Sequence, residues 1–410
     1  MSAVAGEQVT IGVPRETLDG ESRVAMTPAA LSGLTRAGAR VIVESGAGEA
    51  AGFPDDAYAD KGATVGSRQD ALGADVVAVV RATRDGDLAS LRPAQVLVGM
   101  ATPFATPDAV REFADQGVTL FALELVPRTT RAQAMDVLSS QANIAGYKAV
   151  LLAASALPKV FPLLTTAAGT IPPAKVFIVG AGVAGLSAIA SARRLGAVVE
   201  AYDVRSAVKE EVQSLGARFV ELPLETGQEG AGSGAYAQQM SEETIRKQQE
   251  LMAKTVAASD VIITTAQVQG AKAPVIITEE MIRGMTPGSV IVDLAAEQGG
   301  NCEPTRSGET VDVGGVAVIG PVNVPGSVPS HSSLVYAKNV ANFLALMIED
   351  GSLHTEVDDD IVRESLVATG GNVVNNRVRE MLGLDAIAPP APPEPEPEAA
   401  QPETTEENAR

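Results

Sequence analysis

The chain has no tryptophan, and aromatic residues make up only 3% of its 410 residues. A core without large rings must rest on aliphatic packing, and an apolar content of 45% is enough to supply it. Cys302 is the sole cysteine, so no intramolecular disulfide can form, which fits a reducing compartment. The first residues, MSAVAGEQVT, have no basic stretch followed by an apolar run, so no secretory signal is expected. The most apolar stretches, Ala149 to Leu164 and Leu334 to Ile348, are broken by proline or charge. Neither reaches the ~18 to 20 apolar residues of a membrane span. Cations are scarce as well. A formal charge of -20 argues against a phosphate backbone or an anionic membrane surface as partner. The only histidines, His331 and His354, come late, and no lysine lies between Lys61 and Lys148. No cluster has metal-ligand spacing. Cys302 sits in GGNCEP with no neighbouring base, which reads as a structural thiol. The first domain therefore offers little for acid–base chemistry, which usually uses His or Lys.

What is present is an alternation of short apolar runs and helical patterns from start to finish, the pattern of an α/β protein with parallel sheets. The length favours two domains. Strands are expected at Val9–Val13, Arg40–Glu44, Val76–Arg81, Val96–Met100 and Thr119–Glu124, with helices such as Thr27–Ala37 and Pro107–Gln116 between them. A long apolar helix over Arg131–Ala156 leads out of this domain, followed by a Pro-containing stretch, Thr165 to Pro173. A second series then begins, with strands at Lys175–Val179, Val198–Asp203, Arg218–Leu222, Val261–Thr265, Ser289–Leu294 and Val316–Ile319. The apolar helix Leu334–Ile348 is expected to return to the first domain. The predicted architecture is two doubly wound Rossmann-like domains joined by long helices. The first comprises residues 1–140 plus 326–384, the second 141–325, and a Pro/Glu-rich, disordered tail takes 385–410, inert or a tether.

The strongest motif is KVFIVGAGVAGLSAIASARRLGAVVEAYDVR. A buried strand runs into Gly180-x-Gly182-x-x-Gly185, a helix opens there, and Asp203 ends the next strand 18 residues beyond Gly185. Gly180 allows the tight turn, Gly182 lets backbone approach a pyrophosphate, and Gly185 permits close helix–strand packing. The helix N-terminus offers free N–H groups to phosphate. Asp203 suits the adenine-ribose hydroxyls and repels a 2′-phosphate, which favours NAD over NADP, whereas Arg205 could accept that phosphate. The expected cofactor-binding set is Gly180, Gly182, Val183, Ala184, Gly185, Asp203, Val204 and Arg205, with Thr265 and Ala266 at a neighbouring strand end. A second glycine pattern, Gly46-x-Gly48-x-x-x-Gly52, has the wrong spacing and reads as an ordinary loop.

In RTTRAQAMDVLSSQANIAG, Gln133, Asp136 and Ser139 are spaced i, i+3 and would stack on one helix face, with Arg128 just before. They suit a carboxamide and ribose hydroxyls; a solvated face with an N-terminal cap is the plainer alternative. The segment LPLETGQEGAGSGAYAQQM, from Leu222 to Met240, is long, glycine-rich and carries one aromatic, Tyr236. It reads either as a mobile flap or as an insertion without a role.

The chain resembles the NAD(H)-binding α subunit, domain I, of the proton-translocating nicotinamide nucleotide transhydrogenases, within a superfamily that includes alanine dehydrogenase. The matching blocks are VPRETLDGESRVAMTP, RTTRAQAMDVLSSQANIAGY, TAAGTIPPAKVFIVGAGVAGLSAIASARRLGA, ITEEMIRGMTPGSVIVDLAAEQGGNCE and YAKNVANFL. The resemblance implies that Arg128, Gln133, Asp136 and Ser139 line the nicotinamide end of the site and that Tyr236 folds over bound nucleotide. It implies direct hydride transfer between NADH here and NADP(H) on a partner subunit, a second, membrane-embedded partner, and a homodimer. It also implies a cytoplasmic location, peripheral at the inner membrane through those partners. The Pro/Glu-rich end fits a separately encoded soluble subunit. Arg23 matches the arginine that binds substrate carboxylate in alanine dehydrogenase. That enzyme also needs a Lys and a His where Val76–Arg92 and VLVGMATPF have neither. An alanine-type dehydrogenase and a non-catalytic NAD-binding module remain the alternatives.

Overall fold

Long runs of small aliphatic residues with no polar alternation can be satisfied only as strands buried on both faces. Val76–Arg81 (VVAVVR) and Val261–Thr264 (VIIT) are such strands. The computed structural model describes residues 8–83, 86–221, 242–268, 270–355 and 358–387. The first sheet uses β1 (Thr10–Val13), β2 (Arg40–Glu44), β3 (Thr64–Gly66), β4 (Val76–Arg81), β5 (Val96–Met100) and β6 (Thr119–Ala122). The second uses β7 (Lys175–Val179), β8 (Val198–Tyr202), β9 (Arg218–Phe219), β10 (Val261–Thr264), β11 (Val290–Asp293), β12 (Thr310–Val313) and β13 (Val316–Ile319). The chain then returns to the first sheet with β14 (Leu366–Thr369) and β15 (Asn372–Val373).

The first sheet runs β15-β14-β6-β5-β4-β1-β2-β3 and the second β9-β8-β7-β10-β11-β13-β12. In each, six strands follow the doubly wound order or its continuation, and antiparallel pairing is confined to β14 and β15 in one sheet and β12 in the other. Each sheet has apolar clusters on both faces, so both are α/β layers of the expected kind. The order reverses between β1 and β4 and again between β7 and β10, and such reversals open a crevice at the carboxyl ends of the strands.

Three helices govern how the sheets meet: α1 (Val137–Ala156), α2 (Val183–Arg194) and α3 (Pro329–Leu344). α1 packs along α2, and α3 packs into the first sheet, where Phe343 meets Phe121 edge-on with centroids 5.5 Å apart. Tyr336 on α3 is fully buried and donates from Oη to the Val79 carbonyl at 2.8 Å.

Two helices begin elsewhere than expected. Arg131–Met135 is a 3₁₀ turn, Asp136 is extended (φ -73°, ψ 92°), and the α-helix starts only at Val137. The reason is Asp136 itself: its carboxylate accepts from the Ser139 N–H at 2.9 Å and from the Ser139 hydroxyl, an N-cap that competes with helical continuation. α3 starts five residues before Leu334, at Pro329, and ends at Leu344. Among the strands, β9 is shorter than its apolar run suggests. The short strands β3, β12, β14 and β15 lie at or near sheet edges and have no signature of their own, because their pairing is imposed by neighbours. The Pro-containing connector forms an exposed hairpin, Leu164–Thr166 with Gly169–Ile171. Among the described residues no helix is long and apolar enough to cross a membrane.

Candidate functional site

The glycine motif folds as its spacing demands. Gly180 sits at φ +96°, a conformation other residues avoid, and a Cβ there would lie 2.6 Å from Thr265 Oγ1. Thr265 Oγ1 donates to the carbonyl of Gly180 at 3.0 Å, which ties the end of β10 to the turn after β7. A Cβ on Gly185 would lie 1.9 Å from the Gly180 carbonyl oxygen, so only glycine lets α2 start this close to the strand. Gly182 differs: nothing lies within 4 Å of where its Cβ would be. The space it leaves is open, at the N-terminus of a twelve-residue helix whose first N–H groups have no intrahelical partner. Val183 is exposed and Ala184 half-buried beside it.

Asp203 ends in a buried position where its carboxylate accepts from the N–H of Ala181 at 2.7 Å and of Arg205 at 2.8 Å. Arg205 adds Nε at 3.0 Å and Nη2 at 2.9 Å. Burial raises the carboxyl's pKa, but the Arg205 guanidinium and these N–H groups outweigh it and hold it below the usual range. Val204, next in sequence, is exposed.

The strand ends of both sheets face one cavity of about 530 Å³. From the second domain come Ala184 at the start of α2 and, beyond the strand ends, Thr265, Gln267 and Leu294; from the first come Arg81, Met100, Thr102 and Glu124; and α1 contributes Leu138, Gln141, Ala142 and Ala145. Clefts between domains at strand ends are preferred ligand positions. Ala184 and Thr265 are thus the expected residues that line the cavity. Arg128 and Gln133 are exposed outside its lining, and Asp136 and Ser139 are bonded to each other at the helix cap. The stack of Gln133, Asp136 and Ser139 on one helix face does not form, because the helix begins after Asp136. Tyr236 and residues 222–241 lie outside the described residues. Gly46–Gly52 is a loop with a short 3₁₀ turn, Glu49–Ala51.

The first-domain wall carries charge that is largely bonded within the wall, two arginines sharing one carboxylate. Arg23 is 2% exposed; Nε and Nη2 donate to Glu21 at 2.8 and 2.6 Å, and Nη1 donates to Gln141 Oε1 at 2.8 Å. Arg81 approaches the same carboxylate at 3.5 Å. Glu21 is buried, which raises its pKa, yet Arg23 outweighs this and holds it low. Asn323, at φ +43°, accepts from both arginines at 3.1 and 3.3 Å and donates to Glu21 at 3.1 Å. A residue held in this left-handed conformation beside a cleft is the kind of strain found at ligand sites. The sequence carries no local signal that sets Asn323, Glu21 and Gln141 at this wall.

A further residue shapes the second wall. Asn301 is fully buried; Oδ1 accepts from Ala266 N–H at 2.9 Å, and Nδ2 donates to the carbonyls of Ala266 at 2.8 Å and Pro274 at 2.9 Å. Its own N–H reaches Asp293 Oδ2 at 2.7 Å. Cys302 donates its N–H to the same oxygen at 3.0 Å and is buried, a structural position. Among the described residues, neither histidine lines the cavity, no metal-binding cluster occurs, and the lining lysine, Lys272, belongs to the second domain.

Two family models cover this architecture: "Alanine dehydrogenase/PNT, N-terminal domain" over residues 12–145 and "Alanine dehydrogenase/PNT, C-terminal domain" over residues 149–376. The chain belongs to the alanine dehydrogenase/PNT family. Within this family it is 43% identical over 367 residues to a protein of Haemophilus influenzae named NAD(P) transhydrogenase subunit alpha, covering 89% of this chain and 71% of that one. It is 42% identical over 374 residues to the first part of the NAD(P) transhydrogenase subunit alpha of Rhodospirillum rubrum, covering 89% and 97%. The crystal structure of transhydrogenase from Sinorhizobium meliloti superposes with a TM-score of 0.81 at 44% identity, covering 89% of this chain and all of that one. The family resemblance read from the sequence blocks is therefore correct, and its relatives include transhydrogenase α subunits.

Proposed function

We propose that this chain is the NAD(H)-binding subunit of a proton-translocating transhydrogenase. The observation that carries the reading is the cavity between the two sheets. One wall holds Ala184 and Thr265, and Ala184 belongs to the glycine turn and helix start that also carry the open space at Gly182, with the buried acceptor Asp203 at the next strand end. The other is an internally hydrogen-bonded network around Arg23 and Arg81, with no first-domain His or Lys among the described lining residues. The cradle fits a dinucleotide: the α2 N-terminus faces phosphate, Asp203 faces ribose, and the cavity between the sheets takes the nicotinamide end. Bound there, NADH supplies a hydride from its nicotinamide C4 to C4 of NADP⁺ on a partner chain, breaking one C–H bond and forming another. That chemistry needs alignment and exclusion of water more than a proton acceptor.

In this reading Gly180, Gly182, Val183, Ala184 and Gly185 hold the nucleotide on one side, and Thr265 and Ala266 on the other. Arg128 and Gln133, exposed outside the cavity lining, orient its reactive end on the strength of the family resemblance, and Asp136 with Ser139 fixes the start of α1. Tyr236 closes over the site, supported by its match to the family's loop tyrosine. The partners are an NADP(H)-binding subunit and a membrane-embedded subunit; the chain acts as a homodimer, peripheral at the inner membrane through them. The test mixes the purified chain with NADH and an oxidised NADP analogue, with and without membranes carrying the partner chains. Transfer should appear only with the partners and saturate with them. Reduction of NAD⁺ by alanine with the chain alone would overturn the proposal.

A further inference from the structure

The carboxylate at the end of β8 has no acceptor position left. A carboxylate offers about four lone-pair positions. Asp203 Oδ1 accepts the Arg205 N–H and Nε, and Oδ2 accepts the Ala181 N–H and Arg205 Nη2. Two of these four donors are backbone groups held by the glycine turn and by the turn after β8. The other two belong to one guanidinium. The Asp203 side chain is 6% exposed while that of Arg205 is 59% exposed, so the arginine is the member of the pair able to leave. Glu211 lies close enough to attract it, which gives a displaced guanidinium an anionic neighbour. A ribose diol bound in the usual way asks such a carboxylate for two acceptor positions. Here only the Arg205 side chain can yield them.

We infer that Arg205 sets cofactor choice by competing with the adenine-ribose hydroxyls for Asp203. The inference rests on the nucleotide reading above. With a free 2′-hydroxyl, the guanidinium must give up its fork on the carboxylate before the diol can bind. With a 2′-phosphate, the guanidinium can keep Nε and Nη2 on Asp203 and offer Nη1, which lies outside that fork, to the phosphate. Arg205 is thus a specificity-determining residue that narrows the preference for NADH which Asp203 alone would impose.

The test uses the full chain and two variants, Arg205→Ala and Arg205→Gln, titrated with NADH, NADPH and ADP-ribose. NADPH should bind about tenfold more weakly to either variant, the loss expected for one charge-assisted contact. NADH and ADP-ribose should bind as tightly as before or more tightly, so the NADH-to-NADPH ratio widens by about tenfold or more. A readout without nucleotide accompanies it. In Arg205→Ala the Asp203 carboxyl, followed by NMR titration, should move upward, because burial remains and the guanidinium is gone. Equal weakening of NADH and NADPH, or an Asp203 titration that does not move, overturns the inference. A wild-type chain that binds neither dinucleotide overturns the nucleotide reading and this inference together. Wild-type NADH binding with an unchanged ratio in the variants overturns this inference alone.

Discussion

Gly146 is a position where one added methyl group runs into the backbone of a neighbouring helix. It is buried in α1 and faces the first turn of α2, the turn that the site depends on. A Cβ at Gly146 would lie 2.0 Å from the Ala184 carbonyl oxygen, 2.8 Å from its carbon and 3.0 Å from the Ser187 Cβ. Ordinary contact begins near 3.4 Å, so the helices must part by roughly 1.4 Å, and the obstacle is backbone that no rotamer can clear. The Ser187 hydroxyl, which donates to the Asn143 carbonyl at 2.7 Å across the same crossing, would be pulled with it. Overpacking of this kind costs about 1–3 kcal/mol, and the better helix propensity of alanine offsets about 1 kcal/mol. Gly146→Ala should therefore lose up to about 2 kcal/mol of stability. The larger effect should be on binding, since a displacement of about 1 Å in a positioning element can cost up to ~100-fold. Thermal melting and NADH titration of the same preparation measure the two. If Gly146→Ala melts at or above the wild-type temperature and binds NADH unchanged, the close crossing is not what positions the helix.

Three other outcomes are expected. Asn301→Ala leaves the Ala266 N–H and two carbonyls without their partner, so it should cost about 3 kcal/mol in urea unfolding and weaken NADH binding; a loss under about 1 kcal/mol would count against it. Gln133→Ala, at an exposed position, should slow hydride transfer by about tenfold in the reconstituted complex while melting stays within error; normal turnover would remove Gln133 from the mechanism. Burial pushes the Glu16 carboxyl up to about 7, even though it accepts the N–H groups of Val80 and Arg81. Its stabilising contribution is complete below its unfolded value of 4.5 and is lost as pH rises through about 7. That amounts to about 3 kcal/mol at most, and urea curves from pH 5 to 8 for Glu16→Gln should show a flatter decline than wild type; parallel curves would refute the assignment.

The glycine turn, the strands around it and Asp203 were legible because they are built from contacts within one strand–turn–helix unit. Spacing alone specifies such a unit: Gly180 needs its positive φ and Gly185 its missing Cβ whatever the rest of the chain does. The buried parallel strands were legible for a similar reason, since an unbroken aliphatic run has no other stable place. The start of α1 was not, because the i, i+3 spacing from Gln133 to Ser139 fits a helix face and an N-cap equally well; the Asp136 carboxylate chose the cap. The cleft wall had no local signature at all. Arg23 meets Gln141 and Asn323 across 118 and 300 residues of sequence, and Asn301 reaches back 35 residues to Ala266. Such pairings exist only after two sheets have closed and α1 and α3 have set their register. Sequence by itself therefore determined the fold class and the glycine turn, where local geometry leaves one solution. Tertiary structure alone decided how the arginines of the cleft are partnered and that Asn301 braces the strand end at Ala266, because a hydrogen bond of about 3 Å depends on where distant backbones finally come to rest.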